Sequence, residues 1–245
     1  VSRVAVVGGH GKTGRAVCAE LTARGAEAVP LGRSHWRAPE GLAHALEGCA
    51  AAYLIAPNLH PDERSYVASA LAALEAAGVP RVVYHSVASP YVPAMPHHLG
   101  KAVAEDLVRR SGLAWTVLQP GAYVQNLDLT GPVTVPYSVD TVFGFLELVD
   151  LGAAAATVLL DDGHAGATYE LASTVATVRE LAARHGVTAA RTDTWTGEGL
   201  DERERSWLRA MFAYYDRHGL PVGTLPLRAL LSARPDAPDA PAAPA

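Results

Sequence analysis

Val4-Ala5-Val6-Val7-Gly8-Gly9-His10-Gly11-Lys12-Thr13-Gly14 is the stretch whose reading decides the fold. An apolar run of one strand's length enters a glycine cluster. The following Arg15-Ala16-Val17-Cys18-Ala19-Glu20-Leu21 carries Val17 and Leu21 at helical spacing. Strand, glycine turn and helix form the setting in which a dinucleotide is held. The glycines fit two spacings, Gly9-x-Gly11-x-x-Gly14 and Gly8-x-x-Gly11-x-x-Gly14. Either allows a tight turn and a close approach to a pyrophosphate, whose charge a helix N-terminus favours. Gly14 is expected to let the helix lie close on the strand. Gly11-Lys12-Thr13 imitates the end of a phosphate-binding P-loop, but that motif needs glycine where Val6 stands, so NTPase chemistry is excluded.

Outward from this turn, composition bounds the rest. At 245 residues and 49% hydrophobic content, the chain can bury one large core. A net charge of -5 offers no basic surface for nucleic acid. The apolar run Leu151 to Leu160 is too short to span a bilayer. No leader-like stretch precedes the first strand, and Cys18 and Cys49 lack metal-type spacing; a cytoplasmic protein without membrane attachment is expected. Of 20 basic residues only Lys12 and Lys101 are lysines. A lysine kept in so arginine-rich a chain points to a task for a compact ammonium rather than a wide guanidinium.

The chain alternates strand and helix to Pro120. Gly25 to Leu31 reads as a second strand, ending at Gly32-Arg33-Ser34. At that position an acidic residue receives the ribose 2′-hydroxyl of NAD, whereas Arg accommodates the 2′-phosphate of NADP. No acid stands from Val29 to Arg37, so Arg33 predicts NADPH. Leu42 to Leu46 is a short helix, and Ala51 to Ile55 a third strand closed by Ala56-Pro57-Asn58. Val67, Leu71 and Leu74 mark a helix from Asp62 to Ala77, Arg81 to His85 a fourth strand, His97 to Arg110 a helix, and Ala114 to Leu118 a fifth strand. This pattern predicts an α/β fold, a Rossmann doubly wound parallel sheet with ligands at its strand C-termini. Residues 121–233 are expected to supply mainly a small C-terminal α+β substrate region within the same domain, 1–233. They contain a loop-rich stretch to Pro136, helices from Asp150 to Leu160, Val178 to His185 and Asp201 to His218, and a strand Thr168 to Leu171. Residues 234–245, RPDAPDAPAAPA, read as a disordered Pro/Ala tail.

The chemistry is expected between His85 and Lys101. Ser86 ends the fourth strand, where a nicotinamide would lie. Lys101 stands on the next helix, sharing a face with His97 and His98. A lysine there can orient cofactor and proton, and either histidine is a candidate acid. Ser86 lacks the glycine elbow of a hydrolase nucleophile, and no histidine pattern chelates a metal; no metal is expected.

The strings Gly78 to Ser86, Met95-Pro96-His97-His98 with Lys101 and Glu105, and Ser111 to Asn126 resemble the NmrA-like family. Its members are atypical short-chain dehydrogenases/reductases, related to NAD(P)H:quinone reductases and isoflavone reductases. The likeness covers about residues 1 to 232. It implies that Gly8, Gly11, Gly14 and Arg33 contact the cofactor; His10, Lys12 and Thr13 in the glycine turn and Pro57 after the third strand are further candidates for that contact. It makes Lys101 the functional lysine and sets Pro120, Tyr123 and Asn126 on the nicotinamide and substrate side. Ordinary superfamily members use Tyr-x-x-x-Lys; here His97 occupies the tyrosine position. Tyr123 is therefore the better acid than Tyr91. The family also includes proteins that bind the dinucleotide to regulate transcription.

The expectation is an NADPH-dependent reductase passing hydride to a quinone, enone or ketone of an aromatic or secondary metabolite. Lys101, Tyr123, His97, His98 and Ser86 are its candidate catalytic residues, and Tyr123, Asn126, Trp207, Met211 and Phe212 its substrate wall. A redox-sensing NADP-binding regulator, or non-redox cyclisation or dehydration, is the competing reading. The expected partner is a small molecule, with no direct nucleic-acid contact, in a monomer or homodimer.

Overall fold

The computed structural model describes residues 1–36 and 41–232, so the expected Pro/Ala tail lies outside the described residues. In chain order the first half comprises β1 (Arg3–Val7), α1 (Lys12–Ala23), β2 (Glu27–Leu31), α2 (Gly41–Leu46), β3 (Ala51–Leu54), α3 (Glu63–Ala76), β4 (Arg81–His85), α4 (Pro96–Arg110) and β5 (Ala114–Pro120). The second half comprises β6 (Ala122–Tyr123), β7 (Val133–Val135), β8 (Val142–Leu146), α5 (Leu148–Leu160), β9 (Thr168–Leu171), β10 (Thr174–Thr177), α6 (Val178–Arg184), β11 (Ala189–Arg191), α7 (Glu202–His218) and α8 (Leu225–Ser232).

Six parallel strands form the main sheet in the order β2-β1-β3-β4-β5-β9. The chain steps outward from β1 to β2, then crosses to β3 on the other side. The strand C-termini splay at that reversal and open a ligand crevice. Alternation along β1 explains the two layers of helices. Val4 and Val6 pack with α1, α5 and α8 on one face, whereas Ala5 and Val7 pack with α2, α3 and α4 on the other. Pro30 is tolerated because β2 is an edge strand, hydrogen-bonded only to β1.

Within the stretch expected to form the substrate region, α5, β9 and α8 return to the main sheet. The remainder has its own core, built on Phe143, Phe145, Val178 and Tyr215. It carries a three-stranded sheet, β10-β8-β6, and a parallel β7/β11 pair; β6 and β7 fall in the stretch read from sequence as loop-rich, while β8, β10 and β11 fall where the sequence predicts no element. The α7 helix starts with a capping box between Asp201 and Glu204. From its first turn the Arg203 guanidinium donates to the Leu59 carbonyl at 2.7 Å, tying α7 to the loop after β3. This contact holds α7 beside the C-terminal ends of the strands. Among the described residues no helix is long and apolar enough to cross a membrane.

Candidate active site

The glycine turn builds the first half of the site. Gly8 adopts φ +85°, a left-handed conformation that turns the chain out of β1. A side chain on Gly14 would stand 2.3 Å from the Gly8 carbonyl oxygen, so α1 reaches this depth only with glycine. Gly11 is the N-cap and supplies no side-chain cap, so the first-turn amides of α1 face the cleft. The cleft encloses about 690 Å³ between Gly8, His10, Gly11, Lys12, Thr13 and Gly14 on one side and Arg33, Trp36, Pro57 and Tyr66 on the other. Trp36 and Tyr66 lie 4.3 Å apart and form an aromatic wall. Among the described residues no carboxylate lines the cleft, and exposed Arg33 has no ion-pair partner. An uncapped helix and, among the described residues, a cleft without a carboxylate and a guanidinium without an ion-pair partner fit a dinucleotide carrying an additional 2′-phosphate.

Lys12, Thr13, Ile55, Ala56 and Asn58 are shared with a second cavity of about 590 Å³, which opens at the ends of β4 and β5. Its floor holds His85, Ser86, Lys101, Pro120 and Tyr123. Its roof is Leu208, Met211, Phe212 and Tyr215 from α7, with Tyr137 and Phe145 beside them. Asn126 also lines it and accepts a 2.8 Å hydrogen bond from Lys12 Nζ, bridging the glycine turn to the segment after β6. Trp207, expected in the wall, stands outside the lining. It stacks on His97 at 6.3 Å and lies under the Arg203 guanidinium, while its neighbour Leu208 faces the cavity.

The catalytic candidates converge here with different freedoms. Lys101 is buried, with Nζ 2.6 Å from the Glu63 carboxylate and 3.4 Å from the His85 carbonyl oxygen. Tyr84 donates to the same Glu63 oxygen at 2.6 Å. Ser86 lines the cavity, but its hydroxyl donates to buried Glu105, which also accepts from Gln119. His97 and His98 both line the cavity, their rings nearly perpendicular. Burial first, then the charge of Lys101, holds His97 down at about 3. Burial likewise lowers His98 to about 4, against hydrogen bonding to the Ser89 and Ala88 carbonyls. Neither ring therefore titrates in the ordinary imidazole range expected for a histidine acid. Tyr91 is 69% exposed and outside the cavity, whereas Tyr123 lines it. Tyr123 Oη lies 3.1 Å from His85 Nε2.

Glu63, Tyr53 and His85 were not singled out from the sequence as site residues. Glu63 looks like an ordinary first-turn acid beside the N-cap Asp62, and its meeting with Lys101 depends on how α3 packs against α4. Tyr53 reads as one more apolar-strand residue of β3. Among the described residues, no cluster of His, Cys, Asp or Glu could hold a metal ion.

A family model described as NAD(P)H-binding matches residues 34–162. The chain belongs to the NAD(P)H-binding family. The glycine turn and Arg33 lie just ahead of the matched stretch and supply the first half of the cleft. The NAD(P)H azoreductase of Xenophilus azovorans is 28% identical over 197 residues, covering 76% of this chain and 67% of that protein. Quinone oxidoreductase 2 of Escherichia coli (strain K12) is 28% identical over 176 residues, covering 67% of this chain and 60% of that protein, less than two thirds of its length. The crystal structure of the NADPH-dependent quinone oxidoreductase QOR2 from Escherichia coli, complexed with NADPH, superimposes with a TM-score of 0.77 at 22% identity over 93% of this chain and 94% of that one. NmrA, a negative transcriptional regulator, in complex with NAD, gives 0.78 at 18% identity over 96% and 93%. The NAD(P)H-binding chain thus has the Rossmann-like fold that its NmrA-like resemblance implies.

Proposed function

We propose that the protein is an NADPH-dependent reductase acting on a quinone, enone or ketone of aromatic character. The cavity carries this reading: it continues the cofactor cleft past the ends of β4 and β5 and is roofed by α7 with apolar and aromatic side chains. The uncapped amides of α1 and Arg33 would hold the diphosphate and the 2′-phosphate, and Lys101 on the cavity floor would orient the nicotinamide ribose. Bound NADPH supplies a hydride. Leu208, Met211, Phe212 and Tyr137 would exclude water and lie against a flat acceptor, while Tyr123 and Lys101 face its developing oxyanion. The named activities of the azoreductase and quinone oxidoreductase relatives support this class of reaction.

The NmrA neighbour keeps a second reading in view, a redox-sensing regulator that binds the dinucleotide without turnover. A sensor needs the cleft but has no use for the roofed cavity beyond it. NADPH oxidation with a panel of quinones, enones, azo compounds and aromatic ketones, beside NADPH binding, tests the choice. The reductase oxidises NADPH with at least one acceptor class. Tight binding with no acceptor consumed gives the protein to the sensor reading or to non-redox chemistry.

A further inference from the structure

We propose that Tyr123 donates the proton to the reduced acceptor, and that His85 and Tyr53 beneath it fix the direction of its hydroxyl. The inference rests on the reductase reading above. It starts from three side chains in a line. Tyr53 is fully buried on β3, and His85 Nδ1, at 2.7 Å, is the hydrogen-bond partner recorded for its hydroxyl among the described residues. The other ring nitrogen of His85, Nε2, lies 3.1 Å from Tyr123 Oη. Tyr123 then faces the cavity.

The proton positions follow from what each atom can satisfy. Burial, reinforced by the charge of Lys101, lowers His85 to about 3, so the ring is neutral and one nitrogen alone carries hydrogen. Were that nitrogen Nδ1, Tyr53 would accept its hydrogen bond and leave its own O–H without an acceptor in the core. A buried unsatisfied donor is the costlier arrangement. Tyr53 O–H therefore donates to Nδ1, and Nε2–H donates to the Tyr123 oxygen. Tyr123 has its oxygen engaged and its hydrogen left to point into the cavity.

The surroundings also suit a departing proton. Burial raises the Tyr123 pKa strongly, keeping the phenol protonated in the resting protein, while the Thr13 side chain acts in the opposite direction. Nε2–H, 3.1 Å from the Tyr123 oxygen, thus stabilises the phenolate as it forms. Lys12 Nζ lies 5.9 Å from the ring centroid and adds positive charge on the same side. Lys101 lines the same cavity, its charge balanced by Glu63.

Converting a quinone to its hydroquinone takes two electrons and two protons. The acceptor gains both electrons and one proton with the hydride. The Tyr123 O–H bond then breaks, an O–H bond forms on the acceptor oxygen, and the phenolate regains its proton from water in the open cavity. Tyr53 is too deeply buried to carry charge, so the Tyr53–His85 pair positions the donor and passes no proton.

The test combines a readout without turnover and one with it. Nitrogen-15 NMR of the imidazoles should show the Nε2–H tautomer for His85 in the wild type and a loss of that preference in Tyr53→Phe. With 1,4-naphthoquinone as acceptor, Tyr123→Phe should lower kcat by about 100-fold and Tyr53→Phe by about 3- to 10-fold, the scale of losing or loosening a general acid. NADPH binding and KM should stay within about 3-fold, since phenylalanine keeps the Tyr123 ring in the cavity wall and only the proton-donating hydroxyl is lost. Added buffer acid, imidazolium at rising concentration, should accelerate Tyr123→Phe and leave the wild type unchanged. An Nδ1–H tautomer in the wild type overturns the positioning arrangement. A Tyr123→Phe enzyme with wild-type kcat, or one slowed yet indifferent to buffer acid, overturns the donor role while the reductase reading stands. A wild type that binds NADPH but reduces no acceptor overturns the reductase reading itself, a failure visible before any variant is made.

Discussion

Arg33 and Lys101 show how differently two cationic side chains can be read. Arg33 sits at a position where the fold alone assigns a role, and the structure leaves its guanidinium exposed and without an ion-pair partner among the described residues. A charge-assisted contact to a 2′-phosphate is worth on the order of 1.5–3 kcal/mol. Titration of both cofactors should show NADPH binding more tightly than NADH, and Arg33→Ala should lose that preference by about 10- to 100-fold. Equal affinities in the wild type would defeat the assignment. Lys101 was legible as a retained lysine on the right helix, but its partner was not. Glu63 comes from another helix, and one of its oxygens has no hydrogen-bond partner among the described residues. Removing Lys101 alone strands a buried carboxylate, which costs about 3–5 kcal/mol when a buried pair is broken on one side. Lys101→Ala should therefore lose stability as well as turnover, whereas Glu63→Gln/Lys101→Ala should recover most of the melting temperature and still turn over slowly. Equal melting temperatures for the single and double variants would refute this account of the pair.

At the scale of elements, local signals survived folding and non-local ones did not exist in the sequence. The strand–turn–helix of β1 and α1 was legible because its hydrophobic period, its glycines and its closing helix lie within one short stretch. The α7 helix was legible from its 3.6-residue period, yet the choice between Trp207 and Leu208 as cavity wall depends on helix rotation, which the stacking of Trp207 on His97 sets. The β10-β8-β6 sheet escaped because β6 has two residues and takes its place from pairing with β8. The glycine turn yields a paired prediction. On Gly14 a methyl group meets backbone at 2.3 and 2.6 Å, whereas on Gly11 the nearest neighbour is 3.4 Å away. Gly14→Ala should lower both stability, by roughly 1–3 kcal/mol, and NADPH affinity, because α1 must back away from the turn. Gly11→Ala should keep the melting temperature and lose affinity, since its methyl group enters the space a diphosphate needs. Thermal melting and NADPH titration of both variants check this; a destabilised Gly11→Ala would mean that the turn, rather than the ligand, requires that glycine.

Across the whole molecule, one cavity concentrates neutral histidines. His85 and His97 are lowered to about 3 and His98 to about 4, by burial first and with a contribution from the charge of Lys101 in each. The unfolded chain takes up these protons below about pH 6.5, while the native protein holds the rings neutral to a far lower pH. Between those limits the unfolded state binds more protons, so the stabilisation is fully present above pH 6.5 and is lost as pH falls. The slope is about 1.4 kcal/mol per pH unit for each histidine that titrates only on unfolding. Carboxylates with lowered values, such as Asp140 beside Arg179 and Asp201 at the α7 cap, withdraw their contribution only below their ordinary range near 4. The interval from pH 6.5 to 5 therefore belongs to the histidines. Urea midpoints measured at pH 7.5, 6.5, 5.5 and 5.0 should fall slightly across the first step, where the unfolded imidazoles begin to take up protons, and more steeply across the next. His97→Gln, which removes one ring from beside Trp207, should reduce the slope by about a third, as one of three linked protons is lost. Midpoints unchanged down to pH 5.0 would mean that the native protein protonates these rings, and the neutral His85 on which the direction of the Tyr123 hydroxyl depends would go with them.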